Sequence, residues 1–166
     1  MPTVLLIDDN AGVIDALALL LSLHDIDTLR AASPEEGLAV LARTPVDLVI
    51  QDMNFSADTT SGREGEALFR DLRARHPDLP VILLTAWTHL ETAVDLVKAG
   101  AADYLAKPWD DRKLVATVNN LLELGEANRA LRKAREGERG LRRAMAGFDL
   151  RGYVFADSQT ARAVHL

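Results

Sequence analysis

Two kinds of stretch alternate along the chain. Short, nearly continuous apolar runs occupy residues 4–7 (VLLI), 46–50 (VDLVI) and 80–84 (PVILL), with shorter ones at 26–31 and 102–106. Runs this brief suit strands buried on both faces of a parallel sheet. Between them apolar residues recur every three or four positions, which is helical spacing. A helix over 12–23 places Val13, Leu17, Leu20 and Leu21 on one face, with Asn10 as its N-cap. A second begins at Ser33-Pro34-Glu35-Glu36, where Ser33 caps, Pro34 takes the first helical position and Glu36 completes a capping box. It carries Leu38 and Leu41 and ends near Arg43. A third holds Ala67, Leu68 and Leu72, a fourth spans 91–98 with Gly100 closing it, and a fifth begins near Asp110. Strand and helix thus alternate five times, the pattern of an α/β, doubly wound, five-stranded parallel sheet covered on both faces.

Polar residues collect at the C-terminal ends of the expected strands. Asp8 and Asp9 follow the first, Asp52 the third, Thr85 the fourth and Lys107 the fifth. In a doubly wound sheet these strands are central and adjacent, so the five side chains converge on the switch-point crevice. Like charges so close repel unless something cationic holds them. Three carboxylates and a lysine suggest a hard, oxygen-bound cation, and Mg²⁺ binds through few carboxylates together with phosphate oxygens. With it, one carboxylate could attack a phosphoryl group while the metal and the lysine offset charge on the transferred oxygens. Thr85 has a hydroxyl to donate to that group.

Composition narrows the field. The 166 residues are 48% hydrophobic, enough for one core plus an appendage. There is no cysteine, which excludes disulfides and thiolate metal sites. The first apolar run is too short for a signal peptide, and no run approaches a membrane span, so a soluble cytoplasmic protein is expected. Charge is uneven: residues 1–125 carry 10 Lys/Arg against 20 Asp/Glu, and residues 126–166 carry 9 against 5. An acidic body is a poor nucleic-acid surface, and the basic tail reads as a solvated helix face.

Asp8-Asp9, Asp52, Thr85-Ala86, and Tyr104 three residues before Lys107-Pro108, each at its strand end, resemble the receiver domain of bacterial response regulators over residues 1–122. The resemblance implies the CheY-like strand order 2-1-3-4-5. It implies that Asp52 is phosphorylated by a phosphohistidine on a sensor histidine kinase. Asp9, Asp52 and the backbone carbonyl of Asn54 would ligate Mg²⁺, with Asp8 acting mainly through a metal-bound water. Lys107 would pair with the phosphoryl oxygens, Thr85 would shift toward them, and Tyr104 would be an aromatic switch coupled to Thr85. Such a domain catalyses only its own phosphorylation and dephosphorylation.

Two departures stand out. Receivers usually carry Met-Pro after the phosphorylated Asp and then a Gly opening the third helix, whereas Met53-Asn54-Phe55-Ser56 follows Asp52 here. If Gly65 is that glycine, the 54–64 loop is about five residues longer than usual, which is either a tolerated insertion or a cover over the site. Trp87, two residues after Thr85, borders the expected route of water to the phosphoryl group, and Trp109 flanks the same cleft as packing or partner-facing surface.

The fifth helix outruns the domain. Leu114, Leu121, Leu124 and Leu131 fall at coiled-coil spacing, with Asn128 at one seam position, so a linker over 123–147 is expected to pair helices in a homodimer. Farther on, Leu131, Ala134, Glu138, Leu141, Met145 and Phe148 need a shifted register, which implies a stutter or a helix break, and Gly125, Gly137 and Gly140 each weaken the helix by roughly 1 kcal/mol. Residues 148–166 resemble the opening of the AAA+ ATPase domain of NtrC-type, sigma-factor-dependent activators, the alternative being a disordered tail, and the stretch 52–68, DMNFSADTTSGREGEAL, resembles a subgroup of that family. No GxxxxGK[ST] loop occurs, so ATPase and DNA-binding activity would lie outside this chain, read as a truncated or naturally interrupted activator.

Other readings remain. A stand-alone phosphorelay receiver would act through protein contacts alone. An aspartyl-nucleophile phosphatase wants D-x-D on the first strand, which Asp8-Asp9-Asn10 does not supply. A flavodoxin-like cofactor binder wants a phosphate loop richer than Asn10-Ala11-Gly12.

Overall fold

The computed structural model describes residues 1–55, 63–86 and 90–150, with side chains in the last stretch to residue 144. Five strands alternate with five helices: β1 (Thr3–Ile7), α1 (Ala11–Ser22), β2 (Asp27–Ala31), α2 (Pro34–Arg43), β3 (Leu48–Asp52), α3 (Arg63–Arg75), β4 (Val81–Thr85), α4 (Leu90–Lys98), β5 (Asp103–Ala106) and α5 (Asp111–Leu150). The sheet is wholly parallel in the expected order β2-β1-β3-β4-β5. The chain divides into two compact units, Met1–Gly125 and Glu126–Leu166.

In the first unit every residue of β3 and β4 is buried. Side chains alternate between two apolar layers, as the pleat requires. Leu5, Ile7, Val49, Val81 and Leu83 face Val40, Leu68, Phe69, Leu72, Ala93 and Leu96 from α2, α3 and α4. Val4, Leu6, Leu48, Ile50, Ile82 and Leu84 face Ile14, Leu17 and Leu21 of α1 and Leu114 and Val118 of α5. Caps match expectation. Asn10 accepts from the Val13 amide at 3.2 Å, and Ser33 accepts from the Glu36 amide at 3.1 Å. Glu36 reaches back to the amide of Ala32, one residue beyond the usual box partner, Ser33. Gly100, at φ +119°, follows α4 in a conformation that favours glycine.

Several expectations shift. β3 runs two residues later than the 46–50 apolar run, so Asp52 is its last residue, because pairing with β1 begins at Leu48 opposite Val4. On α1 Ile14 is buried, while Val13 and Leu20 sit at the margin of the layer. On α2 the buried residues are Gly37 and Val40, with Leu38 and Leu41 at the edge. On α3 Ala67 is exposed and the buried set is Gly65, Leu68, Phe69 and Leu72, a cleaner helical stripe.

The largest correction concerns α5. Leu114 is fully buried in the α1/α5 layer and Leu121 packs against it. Both belong to the core and are not free for a coiled-coil seam. With them removed, exposed Leu124 is followed at alternating three- and four-residue steps by Ala127, Leu131, Ala134, Glu138 and Leu141, a continuous heptad pattern needing no stutter. Nor does the helix break at its glycines, for α5 is unbroken to Leu150. Alanine, arginine and glutamate around Gly137 and Gly140 are strong helix formers and offset the glycine cost. In the second unit every described side chain, from 126 to 144, is exposed. Residues 56–62, Trp87 and residues 151–166 lie outside the described residues, and with them most of the long loop and of the expected ATPase opening.

Candidate functional site

The register of the sheet assembles the site. Asp52 ends β3 beside Leu84, and Thr85 ends β4 beside Ala106, one residue before Lys107. Asp8 follows β1, and its amide bonds the Ala31 carbonyl at 3.1 Å, continuing the β1–β2 ladder. All therefore lie at the C-terminal edge of the sheet, where parallel strands open a crevice.

Lys107 joins the two buried acids. Its Nζ lies 3.0 Å from Asp8 Oδ2 and 2.9 Å from Asp52 Oδ1. Asp8 and Asp52 are each only 2% exposed. The other oxygen of Asp8 accepts from the Asn10 amide at 2.9 Å. Asp9 is exposed and lies at the mouth, yet one oxygen from each of Asp8, Asp9 and Asp52 falls within 4.8 Å of the others.

The electrostatics call for more positive charge. Burial pushes the Asp52 carboxyl up to about 6, Asp8 adds to this, and Lys107 and the Asn54 amide oppose it. Burial works against the charge on Lys107, but Asp52 and Asp8 outweigh it and raise its pKa. Both groups hold their protons more tightly than in water, Asp52 chiefly through burial and Lys107 through the two acids it bonds. The donor set is all oxygen, which fits a hard divalent cation such as Mg²⁺ better than zinc. Asn54 brings a further oxygen: its Oδ1 is buried with no hydrogen-bond partner among the described residues.

The remaining expected residues are placed as follows. Thr85 is fully buried, and its hydroxyl donates to the neighbouring Ala86 carbonyl at 3.0 Å rather than to Asp52. Its own carbonyl accepts from the Lys107 amide at 2.8 Å, which couples the ends of β4 and β5. Tyr104 is half-buried against the α2/α3/α4 layer. Trp109 packs against the opposite layer and donates from Nε1 to Asp111 at 3.0 Å. Gly65, in the first turn of α3, lies directly against the backbone of Met53, so close that a Cβ there would overlap the Met53 carbonyl. Gln51, an amide inside an apolar strand, is a residue that its type alone could have marked.

The chain is similar to known proteins over the first unit and, in the longer matches, beyond it. The response regulator receiver domain family matches residues 4–119. The chain is 39% identical over 115 residues to response regulator protein FleR of Pseudomonas aeruginosa, covering 69% of this chain and 23% of FleR. It is 36% identical over 138 residues to the C4-dicarboxylate transport transcriptional regulatory protein DctD of Rhizobium meliloti, covering 81% of this chain and 29% of DctD. It thus spans less than a third of the length of these relatives. Among solved structures, the N-terminal signal receiver domain of a two-component response regulator from Bacteroides fragilis superposes with a TM-score of 0.66 at 35% identity, covering 74% of this chain and 97% of that one. NtrX from Brucella abortus superposes with a TM-score of 0.71 at 26% identity, covering 81% of this chain and 30% of NtrX.

Proposed function

The chain belongs to the response regulator receiver domain family, and on that premise we propose that Asp52 accepts a phosphoryl group from a phosphohistidine of a sensor histidine kinase. The observation that carries the reading is the Lys107 ammonium bridging Asp8 and Asp52 within a cluster of three carboxylates. An Asp52 oxygen forms the new P–O bond, the P–N bond to the donor imidazole breaks, and the imidazole leaves with its electron pair and takes a proton from solvent. Lys107 offsets charge on the transferred oxygens. Mg²⁺ held by Asp9, Asp52 and the Asn54 carbonyl, with Asp8 behind a bound water, would supply the rest of that compensation. The chain acts on itself alone and is not an enzyme in the ordinary sense. With such a kinase as its donor, the chain would act in the cytoplasm.

The switch follows from what surrounds Asp52. Phosphorylation adds charge and acceptor oxygens. The Thr85 hydroxyl then has a stronger acceptor than the Ala86 carbonyl and turns toward it, and Tyr104 moves into the space left. This repacks α4, β5 and the start of α5. Two copies of α5 would pair along Leu124, Ala127, Leu131, Ala134 and Leu141, which carries the change toward a transcriptional-activator output of the NtrC type. DNA contact belongs to that output and not to this unit.

Incubation with acetyl phosphate and Mg²⁺ tests the first step. A single acid-stable, base-labile phosphate is expected on Asp52 and none on Asp52→Asn; wild type that never accumulates it would sink the reading. Sedimentation with and without beryllofluoride tests the second, and a monomer in both conditions would remove the dimer.

A further inference from the structure

Gln51 is fully buried between Val49 and Met53, on the face of β3 whose other inward side chains are apolar. Its Nε2 donates to the Gly65 carbonyl at 2.8 Å, in the first turn of α3, and lies 3.3 Å from the Asp52 carbonyl. Its Oε1 is buried with no hydrogen-bond partner among the described residues. An acceptor left unmade in the interior works against folding, and an unbranched apolar side chain of the same length would avoid it. The amide is a costly choice for packing alone.

What it does have is position. The bond spans 14 residues of sequence and closes the β3–α3 connection at its root. Gly65, the residue it holds, lies against the backbone of Met53, the residue after Asp52. One residue further, the Asn54 amide bonds the Asp52 carboxylate. Strand end, peptide run and helix start are thus braced as one piece around the reactive carboxylate.

We propose that Gln51 is a positioning residue for the phosphorylation site, fixing the 52–54 peptide run against α3 so that the Asp52 carboxylate and the Asn54 peptide face the cation correctly. The inference rests on the reading of Asp52 as phospho-acceptor. Groups that hold metal ligands in place typically cost 10- to 100-fold in affinity when removed, and the brace acts one residue further out.

The test is Gln51→Met, with Gln51→Leu as a second variant, in the full chain. Mg²⁺ alone is titrated by calorimetry, acetyl phosphate labelling is timed, and the thermal midpoint is read in EDTA. The expected result is an affinity for Mg²⁺ lower by about tenfold and slower labelling, with a midpoint equal to or above that of wild type. Affinity and labelling indistinguishable from wild type would overturn the proposal. So would a lowered midpoint with unchanged affinity, which is the mark of a purely structural amide. If wild type binds Mg²⁺ but does not label at Asp52, the phospho-acceptor reading fails, while the affinity comparison still decides the brace.

Discussion

Leu114 and Leu131 lie on one helix and serve opposite ends. Leu114 is 0% exposed in the layer between the sheet and α1, while Leu131 is 50% exposed in a unit where every described side chain faces solvent. The first unit buries its apolar residues within itself. Among its described residues the second shows no such core, and an isolated helix gains little from propensity alone, so its apolar stripe gains most by meeting another surface. Identical residues at similar spacing therefore carry different meanings, and only the packing of α5 against the sheet separates them.

The contrast breaks most directly by truncating both leucines. Leu114→Ala should cost the receiver unit about 2–5 kcal/mol in urea unfolding, through lost burial and a cavity. Leu131→Ala should leave that transition within about 0.5 kcal/mol, as surface changes do, while weakening self-association in sedimentation. Equal losses in the two variants would mean that the units are not distinct.

A second measurement uses acidity, which should act through the first unit. Asp52 titrates at about 6 in the folded protein against 3.8 for a free carboxyl. The folded state therefore binds that proton more tightly, and stability falls as pH rises from about 4 to 6, then levels off. Other acids titrate in the same window, so the informative quantity is the difference between wild type and Asp52→Asn. Without divalent cation, the variant's advantage should grow across that window to at most about 3 kcal/mol, and chain ending at Gly125 should behave the same. A constant difference from pH 4 to 7 would contradict the burial of Asp52.

The glycines sharpen the comparison with a smaller effect and a change of sign. Gly65→Ala should destabilise by about 1–3 kcal/mol, because the added methyl meets the Met53 backbone. Gly137→Ala should stabilise its helix by about 1 kcal/mol, since a Cβ there has nothing within 4 Å. Circular dichroism during thermal unfolding reads both.

Much of the first unit was legible in the residues. Brief apolar runs ending in Asp8, Asp52, Thr85 and Lys107 predict parallel strands and a crevice at their ends, because strand direction and side-chain type are local properties. The caps at Asn10 and Ser33 were legible for the same reason. The partition of α5 was not: spacing alone merged Leu114 and Leu121 with Leu124 and Leu131 and required a stutter. Burial on the sheet removes the first two and leaves a continuous stripe. The direction of the Thr85 hydroxyl, toward the carbonyl of the next residue, was equally hidden, since residue type and spacing do not fix a rotamer.

The sequence by itself determined which elements form, their order and which chemistry they carry, since these depend on residue type and short-range spacing. The tertiary structure decided which of several similar residues do which work. It buried Leu114 and exposed Leu131, brought Lys107 between Asp8 and Asp52, and set Gln51 against Gly65. Each of those outcomes depends on distance through space between residues far apart in the chain, and spacing along the chain does not encode it locally.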